Sequence, residues 1–233
     1  MKVISNEKLI KRNNKIGQIT SIAALAILAV GMFYSFKDNA GQYISWTFTS
    51  LIVGFLLFQV GNFFLNRWGK SPRPDEVITQ AFKGLDDKYT LYHFSTDIPH
   101  LLVGPAGVIT ILPYDQGGVL KYDDAKKQWK QIGGNFFLKV FGQEGLGKPL
   151  NEAKYSTEDL ERYLLKLGVD KDHCDPQALL LFTNGKATIE GEGSPIPFTT
   201  TEKVKDYLRK RAKETVFDYE PVAALIEPKI KLK

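Results

Sequence analysis

The sequence predicts an α/β protein in which two N-terminal transmembrane helices precede a mixed sheet flanked by helices. Three observations carry this. Two long stretches near the N-terminus contain no charged residue. After them, short apolar runs of strand length alternate with amphipathic stretches of helical period. One of those runs, Ala178 to Phe182, is apolar at every position, as expected of a strand covered on both faces.

The uncharged stretches are Ile16 to Phe36 and Ala40 to Asn66. A helix needs about 20 apolar residues to cross the hydrocarbon layer. Soluble helices of such length carry a polar face, which neither stretch has. The predicted spans are 16–36 and 43–66, a hairpin within 16–66 joined by a short connector from Lys37 to Gln42. Tyr43, Trp46 and Trp68 lie near span ends, where amphipathic rings favour the headgroup layer. Lys2, Lys8, Lys11, Arg12 and Lys15 make a basic segment over residues 1–15. Arg67, Lys70 and Arg73 follow the second span, and the connector holds only Lys37. That asymmetry predicts a multi-pass protein of the cell membrane, with both termini and the soluble domain cytoplasmic and Asn39 outside.

Residues 67–74 read as a linker, with Pro72 and Pro74 stiffening the exit. The domain is expected over 75–214, with a C-terminal tail over 215–233. Asp75 to Leu85 reads as a helix with Val77, Ala81, Phe82 and Leu85 inward. Tyr89 to Phe94 reads as a strand. His100 to Val103 and Val108 to Leu112 pair across the turn from Gly104 to Gly107. Val119 to Tyr122 and Gln128 to Ile132 form a more exposed hairpin, and Phe136 to Phe141 another strand. Ser156 caps a helix to Leu167, with Leu160, Tyr163, Leu164 and Leu167 on one face and Gly168 as the stop. Thr199 to Glu202 reads as a capping box opening a last helix to Lys213.

The chain has 233 residues, is 43% hydrophobic and 24% charged, and carries a net charge of +5. The excess is mild, and much of it flanks the predicted spans, where anionic lipid accounts for it. The single cysteine, Cys174, excludes an internal disulfide.

Several stretches resemble the nuclease-related (NERD) domain of the restriction-endonuclease-like superfamily, whose active site is written PD-(D/E)xK. The most specific is "DIPHLLVGPAGVITI", where family members read like I-D-H-x-x-V-G-P-x-G-V-F-x-I-E-x-K. "FFLKVFGQEGLGKPLNEAKY" and "PQALLLFTNGKATI" are similar to later family segments. The resemblance spans about Pro74 to Lys213 and implies a restriction-endonuclease-like mixed sheet, with nucleic acid as substrate and Mg²⁺ as cofactor in catalytic members. It also implies a degenerate site. The family's first-helix carboxylate falls on Glu76, which keeps it. Its metal-binding Asp falls on Pro99, its strand-end Glu on Leu112, its Lys on Tyr114, and its Gln on Glu152. A hard cation needs oxygen ligands, which Pro99 and Leu112 do not offer from their side chains. Asp97 and Asp115 are the replacement candidates, and with Glu76 they form the candidate metal set of a rearranged nuclease. Asp97 lies two strand residues, about 6.6 Å, from position 99, and Asp115 points opposite to Tyr114 if the strand continues, which Pro113 argues against, so neither substitutes easily.

Other motifs are weaker. Gly142 to Lys148 has phosphate-loop spacing, G-x-x-x-x-G-K, but Pro149 stands where Ser or Thr would hold Mg²⁺. Asp170, Asp172 and Asp175 lack a calcium loop's Gly and terminal Glu. His173-Cys174 has no accompanying zinc ligands. Arg209, Lys210, Arg211 and Lys213, and the tail lysines 229, 231 and 233, read as solvated or as contacts to phosphate or anionic lipid. The expectation is a bacterial-type, membrane-anchored NERD-like protein that has lost its catalytic set and serves as a recognition or docking module. It needs no cofactor, with Mg²⁺ only if the nuclease alternative holds. Its partner classes are membrane lipid, nucleic acid and another protein.

Overall fold

The computed structural model describes residues 1–37, 40–134, 145–169, 174–214, 217–227 and 230. The expected strand Phe136 to Phe141, most of the glycine-rich stretch, Asn39, Asp170, Asp172, His173 and the tail lysines lie outside them. The chain divides into two compact units, one of residues 7–73 and one of residues 1–6 with 74–232.

The first unit is a helical hairpin. Helix α1 spans Glu7–Ser35, a 3₁₀ turn spans Ala40–Tyr43, and α2 spans Ile44–Trp68. At 1.5 Å per residue each is about 37 Å or longer, and both are long and apolar enough to cross a membrane. Small residues dominate the seam: Gly17, Ala24, Gly31, Gly54 and Gly61 are buried. A Cβ on Gly54 would sit 2.6 Å from Leu28 Cγ, so only glycine permits this approach of the helices. Large apolar side chains face outward instead, with Ile22, Phe33, Phe48 and Phe55 among the exposed. This arrangement inverts the packing of a water-soluble helical pair and follows the rule for helices packed in lipid.

The second unit holds two sheets. Strands β1 (Lys2–Ser5), β2 (Thr90–His93), β3 (His100–Gly104), β4 (Gly107–Tyr114), β7 (Gln177–Phe182) and β9 (Phe198–Thr200) form a six-stranded sheet in the order β1-β2-β3-β4-β7-β9. Its β1–β2, β4–β7 and β7–β9 pairs are parallel, and β2–β3–β4 is an antiparallel meander. Strands β5 (Val119–Asp123), β6 (Gln128–Ile132) and β8 (Thr188–Glu190) make a smaller sheet in the order β6-β5-β8. The helices are α3 (Pro74–Phe82), α4 (Pro149–Lys166), α5 (Val204–Glu214) and α6 (Glu220–Ile226).

Three apolar clusters bind these elements together. On one face of the large sheet, Ile78 and Phe82 of α3 and Val204 and Leu208 of α5 pack on Leu91, Leu102, Leu179 and Leu181. On the other, Leu160 and Leu164 of α4 and Val222 and Ile226 of α6 pack on Tyr92, Leu101 and Val108. A third joins Leu180 and Phe182 of β7 to Leu120 and Trp129 of the small sheet. Strand β7 thus buries alternate residues on opposite faces, as its unbroken apolar run predicts.

The structure corrects several expectations. Residues 2–5, read as part of a basic segment, form the edge strand β1. Helix α4 begins at Pro149 rather than at Ser156: Pro149 occupies the first turn, and Glu152 Oε1 accepts the Lys148 N–H (3.2 Å) in place of a Ser cap. Its end is as expected, with Gly168 at φ +81° and the Val169 N–H bonding Leu164 O at 3.0 Å. Thr199 and Thr200 belong to β9, because pairing with β7 overrides the capping pattern, and α5 starts at Val204. In α3 the buried stripe runs through Ile78 rather than Val77. The β5–β6 hairpin is more exposed than β3 and β4, as expected, with Leu120, Tyr122 and Trp129 on its buried face. The tail contains α6.

Candidate functional site

Strand β4 carries two of the positions that the family resemblance singles out, and it runs straight through Pro113. The reason lies in which side each residue addresses. The Thr183 N–H donates to Tyr114 O (2.7 Å), so Tyr114 addresses β7. Pro113 addresses the opposite side, where the register with β3 has already ended at Leu101↔Thr110. The missing N–H therefore costs no ladder bond.

This continuation places Tyr114 beside α4. Its hydroxyl donates to Glu152 Oε2 at 2.7 Å, and the ring is 5% exposed. Burial, then the hydrogen bond to Glu152, hold the phenol far above its ordinary range. Glu152 is held at both oxygens, by Tyr114 and by the Lys148 N–H. The positions aligned with the family's Lys and Gln are thus brought together, as a neutral donor and a carboxylate. Leu112 packs against the third apolar cluster. Pro99 lies exposed in the β2–β3 loop, where its carbonyl accepts the Phe94 N–H (2.8 Å) and so closes the loop. Asp97 and Asp115 are exposed, as is Glu76 in the first turn of α3. Among the described residues no three His, Cys, Asp or Glu side chains are grouped to hold a metal ion.

One residue of the basic stretch on α5 has a structural duty. Arg211 donates to Ala106 O (2.9 Å) and pairs with Asp175 (2.7 Å), which braces the β3–β4 turn where Gly107 sits at φ +107°. Arg209 pairs with Asp206 within its own helix. Cys174 is buried, which removes it as an accessible nucleophile.

Sequence reasoning missed a buried polar group beneath the β2–β3 loop. His93 and His100 face each other across the antiparallel register, with Nδ1 atoms 2.9 Å apart, and Thr79 Oγ1 of α3 lies 3.0 Å from His93 Nε2. His93 is fully buried and His100 is 5% exposed. One Nδ1 must donate and the other accept, so the pair is held as a single hydrogen-bonded unit. The signal was available in principle, because strands 89–94 and 100–103 joined by a short loop place these two histidines opposite one another.

Compared with protein-family models, with curated proteins and with solved structures, the chain matches none.

Proposed function

We propose that this protein is a membrane-anchored, restriction-endonuclease-like domain of NERD type that works without catalysis, as a recognition or docking module at the cytoplasmic face. The Tyr114–Glu152 hydrogen bond carries the reading. The metal-dependent mechanism that the resemblance implies uses an ammonium group and several free carboxylate oxygens converging on one phosphate. Here the position aligned with the lysine is a buried phenol, and the neighbouring carboxylate is already bonded at both oxygens. The element order, a helix, a three-strand meander, an inserted hairpin, a helix and a parallel strand, agrees with what the resemblance implies.

Anchoring is supported by the inside-out packing of α1 and α2. A common side for both ends of the hairpin is supported by β1, because residues 2–5 precede α1 yet pair with a strand that follows α2. Labelling with an impermeant thiol reagent in intact cells tests the orientation. Cysteine placed at Gln42 should react and cysteine placed at Lys186 should be protected, while buried Cys174 stays silent. The reverse pattern would overturn the cytoplasmic assignment.

The activity test uses the full chain in lipid nanodiscs with plasmid DNA, single-stranded DNA and RNA, in Mg²⁺ or Mn²⁺. Loss of one electrostatic element of such a site typically lowers rate by about 10²–10³, and three are replaced here, so no cleavage above background is expected. Cleavage that copurifies with the protein and vanishes in Glu76→Ala would establish the nuclease alternative, with a site rebuilt around Glu76, Asp97 or Asp115.

A further inference from the structure

The helical hairpin holds polar side chains of two kinds. Hydroxyls are satisfied by their own helix: Thr20 Oγ1 donates to Ile16 O (2.6 Å) and Ser50 Oγ donates to Thr47 O (2.8 Å). Two carboxamides are not. Asn62 is half-buried, and its side chain makes no hydrogen bond among the described residues. Gln18 is exposed and gives one N–H to Asn14 Oδ1 at 3.3 Å, with its oxygen and second N–H unused among the described residues. Both positions fall inside the uncharged spans. Lipid tails offer neither donor nor acceptor, so an unpaired carboxamide at such a depth is costly.

The two carboxamides share one flank of the hairpin. Asn62 follows Gly61 and Gln18 follows Gly17, and both glycines are buried where the helices meet. One residue advances a helix by about 100°. The helices are antiparallel and so turn in opposite senses seen from one end, which sends both side chains out on the same side. Gly61 abuts Ser21 and Gly17 abuts Leu65, which brings Asn62 and Gln18 to within about 3 Å of one another in height along the hairpin. Farther along this flank Leu25, Met32, Leu51 and Phe55 are exposed. The opposite flank differs: it carries an apolar groove of 350 Å³ lined by Ile27, Val30, Tyr34, Trp46 and Val53 among others.

We infer that the hairpin pairs with that of a second copy of this chain across the carboxamide flank, with Asn62 and Gln18 hydrogen-bonded between copies. The inference rests on the membrane-spanning reading of α1 and α2. Both copies insert with the same orientation, so a two-fold axis along the membrane normal brings equal residues together at equal depth. A carboxamide both donates and accepts, and therefore complements its own copy. An acyl chain offers no such partner, and helices packed in lipid use bonds of this kind as their polar contacts. Leu25, Met32, Leu51 and Phe55 continue the same contact by packing alone.

The test reconstitutes the full chain in phosphatidylcholine liposomes, with donor or acceptor dye on Lys186→Cys, and reads energy transfer against the protein-to-lipid ratio. Buried Cys174 takes no dye. Transfer should saturate as the ratio rises and stay linear in acceptor fraction, as a dimer requires. Gln18→Leu/Asn62→Leu should raise the ratio at half-association about tenfold or more. Leucine favours insertion, so this variant enters the bilayer at least as well as the wild type. Asn62→Gln, which keeps a carboxamide, should retain association, and Thr49→Val on the opposite flank should leave it unchanged. An alkaline wash of the liposomes separates the two readings. A chain retained through the wash but monomeric at every ratio, its flank covered by lipid, would overturn the pairing alone. Association indifferent to the leucine pair, or transfer that curves with acceptor fraction, would do the same. A chain released by the wash would overturn the anchoring, and the pairing with it.

Discussion

Leu180→Asp is expected to abolish folding of the domain. Leu180 is fully buried at the centre of β7, paired with Leu112 of β4 on one side and with Phe198 of β9 on the other. Its side chain points into the cluster shared with Leu120, Trp129 and Phe182. Losing the leucine contacts alone costs about 2–5 kcal/mol. An unpaired carboxylate there adds a desolvation cost of several kcal/mol more. Total domain stability is of the order of 5–15 kcal/mol, so the sum is comparable to everything that holds the domain together. Circular dichroism and thermal melting of the detergent-solubilised chain would show loss of the cooperative transition. Leu165→Asp on the exposed side of α4 should melt within a few degrees of the wild type, since surface changes of this kind stay within about 0.5 kcal/mol. A Leu180→Asp protein with a normal transition would mean that β7 is not a strand buried on both faces.

That strand was legible in the sequence because nothing competes with its pattern: five apolar residues in succession suit only a strand covered on both faces or a buried helical turn, and five are too few for a helix. The hairpin helices were legible for the same reason. The failures came where a local rule was satisfied but a tertiary contact outweighed it. Thr199 to Glu202 fits a capping box, yet two of its threonines pair with β7. Ser156 is a good cap residue, yet α4 starts at Pro149 because Glu152 can satisfy the Lys148 N–H from within the helix. At the site, the residue identities at Tyr114 and Glu152 could be read directly, but their hydrogen bond could not, because it depends on β4 passing through Pro113 and on α4 starting early. Four residues reading KVIS, at the start of a basic segment, gave no sign of a strand.

Removing that strand is expected to have the second-largest effect. A fragment of residues 74–233 loses β1 and exposes the β2 edge, with Leu91 and Tyr92, along the full length of its ladder. Unpaired edges of this kind recruit other chains, so the fragment should aggregate on size-exclusion chromatography. Fusing residues 1–6 to its N-terminus through a flexible Gly/Ser linker should restore a monodisperse, cooperatively melting domain. A pair of proline substitutions in the full chain sharpens the test. The Lys2 and Asn6 N–H groups bond Tyr89 O (2.9 Å) and His93 O (3.0 Å), so even-numbered residues address β2 and Val3 addresses the open edge. Ile4→Pro should destabilise the domain, whereas Val3→Pro should be tolerated. A monodisperse 74–233 fragment with the melting midpoint of the fused form would show that β1 is dispensable.

The same strand changes what a single backbone cut can accomplish. A protease acting in the exposed stretch between α2 and α3 would sever the only covalent link from the hairpin's second helix to the domain, but β1 remains continuous with α1 and stays paired with β2. The domain would remain held to the hairpin by a four-residue ladder. Its release would then wait on the spontaneous opening of that ladder, a rate set by local unfolding rather than by cleavage.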